Sequence, residues 1–167
     1  MLKKRVIFTL LYNNGVFALS RNFRLQAVGD ISWLEKNYNF SKIAFYIDEL
    51  IILNVSRNKR NEEEFLGIIK RLSKGCFIPI AAGGGIKTVE QVSELLKNGA
   101  DKVVINSLLY ESPEVILEIS EKFGATCIVA CIDVKKIGDN FCIMSNNGSK
   151  VQPFEIKKWL QDLENFP

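Results

Sequence analysis

Histidine is absent from this chain, and none of its four cysteines, Cys76, Cys127, Cys131 and Cys142, forms a CxxC pair. A zinc site is therefore not expected, and no metal or cofactor is implied. The cysteine count fits a reducing cytoplasm. Also missing is any apolar run near the roughly 20 residues of a membrane span. Met1-Leu2-Lys3-Lys4-Arg5 and the apolar run behind it superficially resemble a signal peptide. That run is short, however, and Asn13-Asn14-Gly15 ends it without a small-residue cleavage site. A first strand is the better reading. The net charge is only +3, and lysines such as Lys36, Lys70, Lys97 and Lys157 are scattered rather than interleaved with aromatics. Nucleic acid is not an expected partner, and nor is a membrane.

What is present describes one soluble α/β domain over residues 1–167, with 47% apolar and 25% charged residues. Its centre is the stretch from Ile78 to Thr88, where an apolar strand enters Gly83-Gly84-Gly85 and leaves into Thr88-Val89-Glu90-Gln91. Thr88 answered by Gln91 is a capping box at a helix start. Glycines let backbone N–H groups approach an anion closely, and a helix N-terminus adds favourable partial charge. One glycine here would suggest a plain βα turn; three before a capped helix point to phosphate.

Taken in order, strands are expected over 5–11, 48–55, 77–82, 102–106 and 126–133, apolar within, the second acidic at its start and the fifth ending in a carboxylate. Helices are expected over 31–39, 62–73, 88–98, 113–123 and 154–163. Asp30 opens the first helix, Gly99 closes the third and Gly124 caps the fourth. Residues 12–29 form a long connection that reads as a lid or binding loop, and 57–61 a charged turn. Cys127 and Cys131 are expected on one buried face. Asn146-Asn147-Gly148 marks a hairpin after the fifth strand. Strands of this kind are buried on both faces of a helix-covered parallel sheet. An open doubly wound sheet and a (β/α) barrel both fit the pattern.

Three further segments are specific. The start at 1–7, the glycine stretch at 79–88, and Gly99-Ala100-Asp101-Lys102 running on to Asn106-Ser107 resemble the cyclase subunit of imidazole glycerol phosphate synthase. The run from Phe123 to Lys135 continues the match. The resemblance implies a TIM-type (β/α) barrel in the histidine pathway. That enzyme takes ammonia from a glutaminase partner, closes the imidazole ring and cleaves a phosphorylated substrate. It further implies that Gly84, Gly85, Asn106 and Ser107 hold a substrate phosphate and that Asp133 is a catalytic carboxylate. A helix cap, or a partner for Lys135, is the structural alternative for Asp133. Arg5, Glu49 and Lys102 match three members of a charged ring at the barrel base that gates ammonia; a plain ion-pair cluster fits them equally. Asp101 matches a residue facing the glutaminase, or is a solvated charge at a strand start.

The chain also departs from that family. Leu11 stands where a second catalytic aspartate belongs, and a leucine cannot transfer protons. Leu19 replaces a substrate-contacting lysine, and Asn54 another aspartate. This pattern resembles a divergent branch from surface-polysaccharide loci, where ammonia converts an acetamido to an acetamidino sugar. The family has eight βα units and this chain supplies five, giving an incomplete barrel with a β-hairpin after strand 5. Trp159-Leu160-Gln161 echoes Trp33-Leu34-Glu35, a faint repeat that fits two half-barrels. Five parallel strands leave two apolar edges open, so a truncated product, or pairing with itself or another chain, is expected. With Leu11 and only five units, a non-catalytic phosphate-binding half-barrel is a further reading.

Overall fold

The computed structural model describes residues 4–57 and 59–164. Five parallel strands form its spine: β1 (Ile7–Asn13), β4 (Glu49–Asn54), β5 (Ile80–Gly83), β6 (Lys102–Ile105) and β7 (Ile128–Ala130). Each lies beside the next in sequence, in the order β1-β4-β5-β6-β7. A doubly wound sheet would reverse that order partway. A monotonic order with right-handed crossovers instead puts every helix on one face, as in a barrel wall. The sheet is open, and the fold is an incomplete (β/α) barrel.

The helices follow their sequence signals. In α3 (Glu62–Gly75), Asn61 caps the start, Glu62, Glu63 and Glu64 occupy the first turn, and Phe65, Ile68, Ile69 and Leu72 form the buried face. α4 (Val89–Lys97) begins with the expected capping box of Thr88 and Gln91. α6 (Pro113–Phe123) carries Pro113 in its first turn and is closed by Gly124 at φ +88°. Ile69, Val92 and Ile119, one from each helix, are fully buried against Leu50, Ile80 and Val103 of the sheet. α1 (Ile31–Asn37) is capped by Asp30, whose carboxylate accepts from the Trp33 N–H at 2.7 Å.

Three expectations are corrected here. The first concerns residues 12–29, which are no free loop. A turn at Asn14-Gly15 leads into β2 (Val16–Arg21), and Asn22-Phe23 turns into β3 (Arg24–Gly29). Both strands extend the sheet antiparallel beyond β1, so only the β7 edge of the parallel core lacks a neighbouring strand among the described residues. The second concerns burial. Leu10, Tyr12, Leu50 and Ile52 face the helices and are buried, whereas Thr9, Leu11, Ile51 and Leu53 alternate with them onto a concave, partly open face. On β5 and β6 the inward-facing Ala81 and Val104 are themselves buried, so the opening lies over β1 and β4. The third concerns Phe77, which is 89% exposed, outside a strand that starts only at Ile80.

Two short helices were also not expected, α2 (Phe40–Ile43) and α5 (Leu108–Glu111). The fifth strand breaks. A 3-10 turn (Ala125–Cys127) precedes β7, and Cys131 N–H donates to the Ile105 carbonyl at 2.8 Å as the last bond to β6. The chain then leaves the sheet and starts a meander of β8 (Asp133–Ile137), β9 (Asn140–Ser145) and β10 (Lys150–Val151). Its Asn146-Asn147-Gly148 turn has positive φ at all three residues, as the sequence suggests. Cys127 is buried in the core while Cys131 opens towards the concave side, so the two do not share a face. α7 (Ile156–Glu164) lays Trp159 on Phe154 and Tyr110, with ring centroids 4.5 and 5.1 Å away. No helix among the described residues is long and apolar enough to cross a membrane.

Candidate active site

A cleft of about 520 Å³ opens where the parallel strands end, and Gly84, Gly85, Asn106, Ser107 and Asp133 all line it. Parallel strands deliver their C-terminal ends to one rim, which is why residues from three separate loops meet here. Gly83 has ordinary φ, but a Cβ there would press on Val104 of the next strand, 2.8 Å from its own Cβ. At Gly84, φ is +109° and a Cβ would run into the Asn54 backbone, 2.7 Å from its nitrogen. Close backbone approach thus requires glycine at both positions. Asn54 is buried, and its side-chain oxygen accepts from the Ser56 N–H at 3.1 Å. The Asn54 side chain therefore serves the local turn.

On the opposite wall, Asp133 begins β8 rather than closing the fifth strand, because the chain has already turned out of the sheet at Cys131. The carboxyl still reaches the cleft. Burial raises its pKa above the usual 3.8, while a hydrogen bond from the Asn106 side chain opposes the shift. Cys131 is also raised, by burial first and then by the Asp133 charge, so its thiol stays protonated and is a poor nucleophile. The Ser107 hydroxyl accepts from the Asn146 N–H at 3.2 Å, fixing the β9–β10 turn against the rim. The β2–β3 tip reaches the same turn, where a Cβ on Gly148 would strike the Phe23 ring. Leu11 lies in the cleft wall; Leu19 is exposed on β2 and does not line it.

Sequence reasoning missed Arg57, Arg60 and Glu111, which also line the cleft. The two arginines fall in the charged turn after β4. In a parallel sheet every such βα loop lies at the rim, so their place was readable once the strands were taken as parallel. Arg57 donates through Nη2 to the Phe23 carbonyl, tying the turn to the hairpin tip.

The opposite end carries the charged group expected there. Glu49 is buried, with Arg5 Nη1 3.4 Å from one carboxylate oxygen and Lys102 Nζ 3.3 Å from the other. Asp101 accepts from the Ile80 N–H at 2.8 Å, so it ties two strand starts together and is no simply solvated charge. Asp48 does the same for Val6 at 2.7 Å. Replacing Glu49 with alanine should cost about 1–2 kcal/mol in urea unfolding. That is less than the roughly 3–5 kcal/mol of a fully buried pair, since Arg5 and Lys102 can turn to solvent.

A singly wound parallel sheet, with a tight glycine turn and a part-buried carboxylate in the cleft at its C-terminal rim, defines an incomplete (β/α) barrel. Comparison with known proteins gives the particular family. The sequence pattern of the histidine biosynthesis protein family matches residues 24–167, and the chain belongs to that family. It is 44% identical over its whole length to a protein of Parasynechococcus marenigrum named "Putative imidazole glycerol phosphate synthase subunit hisF2", covering 62% of that protein. It is 35% identical over 99% of its length to the imidazole glycerol phosphate synthase subunit HisF of Prosthecochloris aestuarii, covering 65% of it. The chain thus spans a little under two thirds of these relatives.

Proposed function

We propose that this chain is the phosphate-holding part of an ammonia-using cyclase of the imidazole glycerol phosphate synthase type. The observation that carries this reading is the convergence of Gly84, Gly85, Asn106, Ser107 and Asp133 on one cleft. The glycine backbone and the Asn106 and Ser107 side chains hold a substrate phosphate at the rim. Asp133, its pKa raised by burial, exchanges a proton with the substrate during ring closure and cleavage. A carboxyl shifted towards neutrality is better matched to such work. With Leu11 also in the cleft wall, Asp133 stands without the second aspartate of the usual pair that divides acid and base roles.

Ammonia reaches the cleft from the other end of the sheet, past Arg5, Glu49 and Lys102, supplied by a glutaminase subunit docked there. Phe45, Tyr46 and Phe77 support that partner: they are 86%, 79% and 89% exposed, in loops that precede β4 and β5 at the same end. Exposed aromatics of this kind are typical interface anchors. Asp101 belongs to the same surface. Such an enzyme works in the cytoplasm.

A second reading, ammonia-dependent conversion of an acetamido to an acetamidino sugar for lipopolysaccharide, is favoured by Leu11 in the cleft wall. The experiment is ammonium-dependent turnover by the purified chain, with the bisphosphorylated histidine-pathway substrate and with acetamido sugars. Turnover of the first supports the cyclase reading. Its absence, unrestored by Leu11→Asp, counts against it, and turnover of a sugar selects the second. Phosphate binding without turnover of either leaves a non-catalytic binding module.

A further inference from the structure

We propose that Arg60 is the fixed positive charge of the anion subsite, a binding residue lying on Gly85. This inference rests on the phosphate reading above and names the charge that reading lacks. Backbone N–H groups, Asn106 and Ser107 are neutral donors; they orient an anion but leave its charge uncompensated. The guanidinium of Arg60 lies where a Gly85 side chain would be, so that a Cβ there would collide with Nη1 and Cζ. Gly85 at φ +77° therefore serves two ends: it makes the turn, and it admits an arginine onto the turn.

The state of Arg60 is what points to a ligand. Its Nε is buried with no hydrogen-bond partner, and it takes part in none of the ion pairs among the described residues. Two of the three acids in the first turn of α3, which follows Arg60, are engaged elsewhere. Glu62 accepts from the Gln91 amide at 2.7 Å and Glu64 from the Asn61 amide at 3.2 Å. Of the other rim cations, Arg57 is held by the Phe23 carbonyl and Lys87 is exposed. A part-buried guanidinium with an unpaired donor is costly to keep. Beside an anion cradle, a phosphate is the partner that removes that cost, since the planar fork matches phosphate oxygens.

The test is titration of inorganic phosphate at low ionic strength, followed by amide and arginine Nε resonances. In the parent chain, the Gly84, Gly85 and Asn106 amides and the Arg60 Nε–H should all shift. Arg60→Gln should weaken binding roughly tenfold or more, and Arg60→Lys should recover only part, because an ammonium lacks the fork. Lys74→Gln, which removes the same charge at the far end of α3, should stay within about twofold. Glycine shifts with an unmoved Arg60 Nε–H, or with Arg60→Gln binding as the parent does, would overturn the proposal and leave the phosphate reading standing. No binding by the parent would overturn both. Should Arg60→Gln not fold, the parent's Nε–H and Arg60→Lys still decide.

Discussion

Replacing Gly84 with alanine should lower the stability of the fold by several kcal/mol and abolish anion binding together. Two costs add. A non-glycine residue at φ +109° is strained by about 1–3 kcal/mol. The new methyl also runs into backbone, the Asn54 peptide, which cannot swing aside as a side chain would, and such overpacking costs about 1–3 kcal/mol more. Against a total of about 5–15 kcal/mol for a domain, the urea midpoint should fall far. Gly85→Ala is the contrast, because there the methyl meets the movable end of Arg60. It should lose less stability but as much anion binding. A Gly84→Ala protein that melts with its parent would mean that the turn relaxes away from β4.

Asp133→Asn should have the opposite sign on stability. In the folded chain burial holds the carboxyl pKa above its usual 3.8, so the folded form keeps a proton that the unfolded chain releases. Stability from this group is fully present below about pH 3.8 and is lost as pH rises through the raised value. Asparagine imitates the protonated, neutral form. The variant should therefore melt higher than its parent at pH 7, with the gap closing as pH falls towards about 4. Turnover, if the proposed chemistry holds, should fall by about 10²–10⁴ at the same time. An Asp133→Asn protein less stable than its parent at pH 7 would show instead that the carboxylate is a structural anchor. Stability gained where activity is lost is the pattern of a site residue held against its preference.

Much of this was readable because the relevant signals are local. The Thr88–Gln91 box, Pro113 before an amphipathic run, and the Asn146-Asn147-Gly148 turn each depend on neighbours a few residues away. The glycine turn was readable from its own residues, whereas Asn106, Ser107 and Asp133 were singled out only by the resemblance to the cyclase family. What escaped depends on partners distant in sequence. The β2–β3 hairpin hides because its alternation is interrupted by a register shift between Phe17 and Ala18, and its second turn uses Asn22-Phe23 without glycine. Phe77 looks like strand and is solvent-exposed. Asp133 looks like a strand end because nothing near Cys131 announces that the ladder stops there. Arg60 looks like one charge among several in a turn; its place on Gly85 comes only from the packing of β4 beside β5.

The alternation along β1 and β4 separates two kinds of evolutionary constraint. Leu10, Tyr12, Leu50 and Ile52 are locked among the helices, where a change of one methylene is felt. Thr9, Leu11, Ile51 and Leu53, one step away on the same strands, touch the open concavity instead. A lineage can therefore change the residue at position 11 while the buried residues on either side of it keep their helix contacts. Drift of chemistry on such a scaffold is cheap in folding terms. A library that randomises the inward positions alone should keep most of its members folded while scattering their specificities.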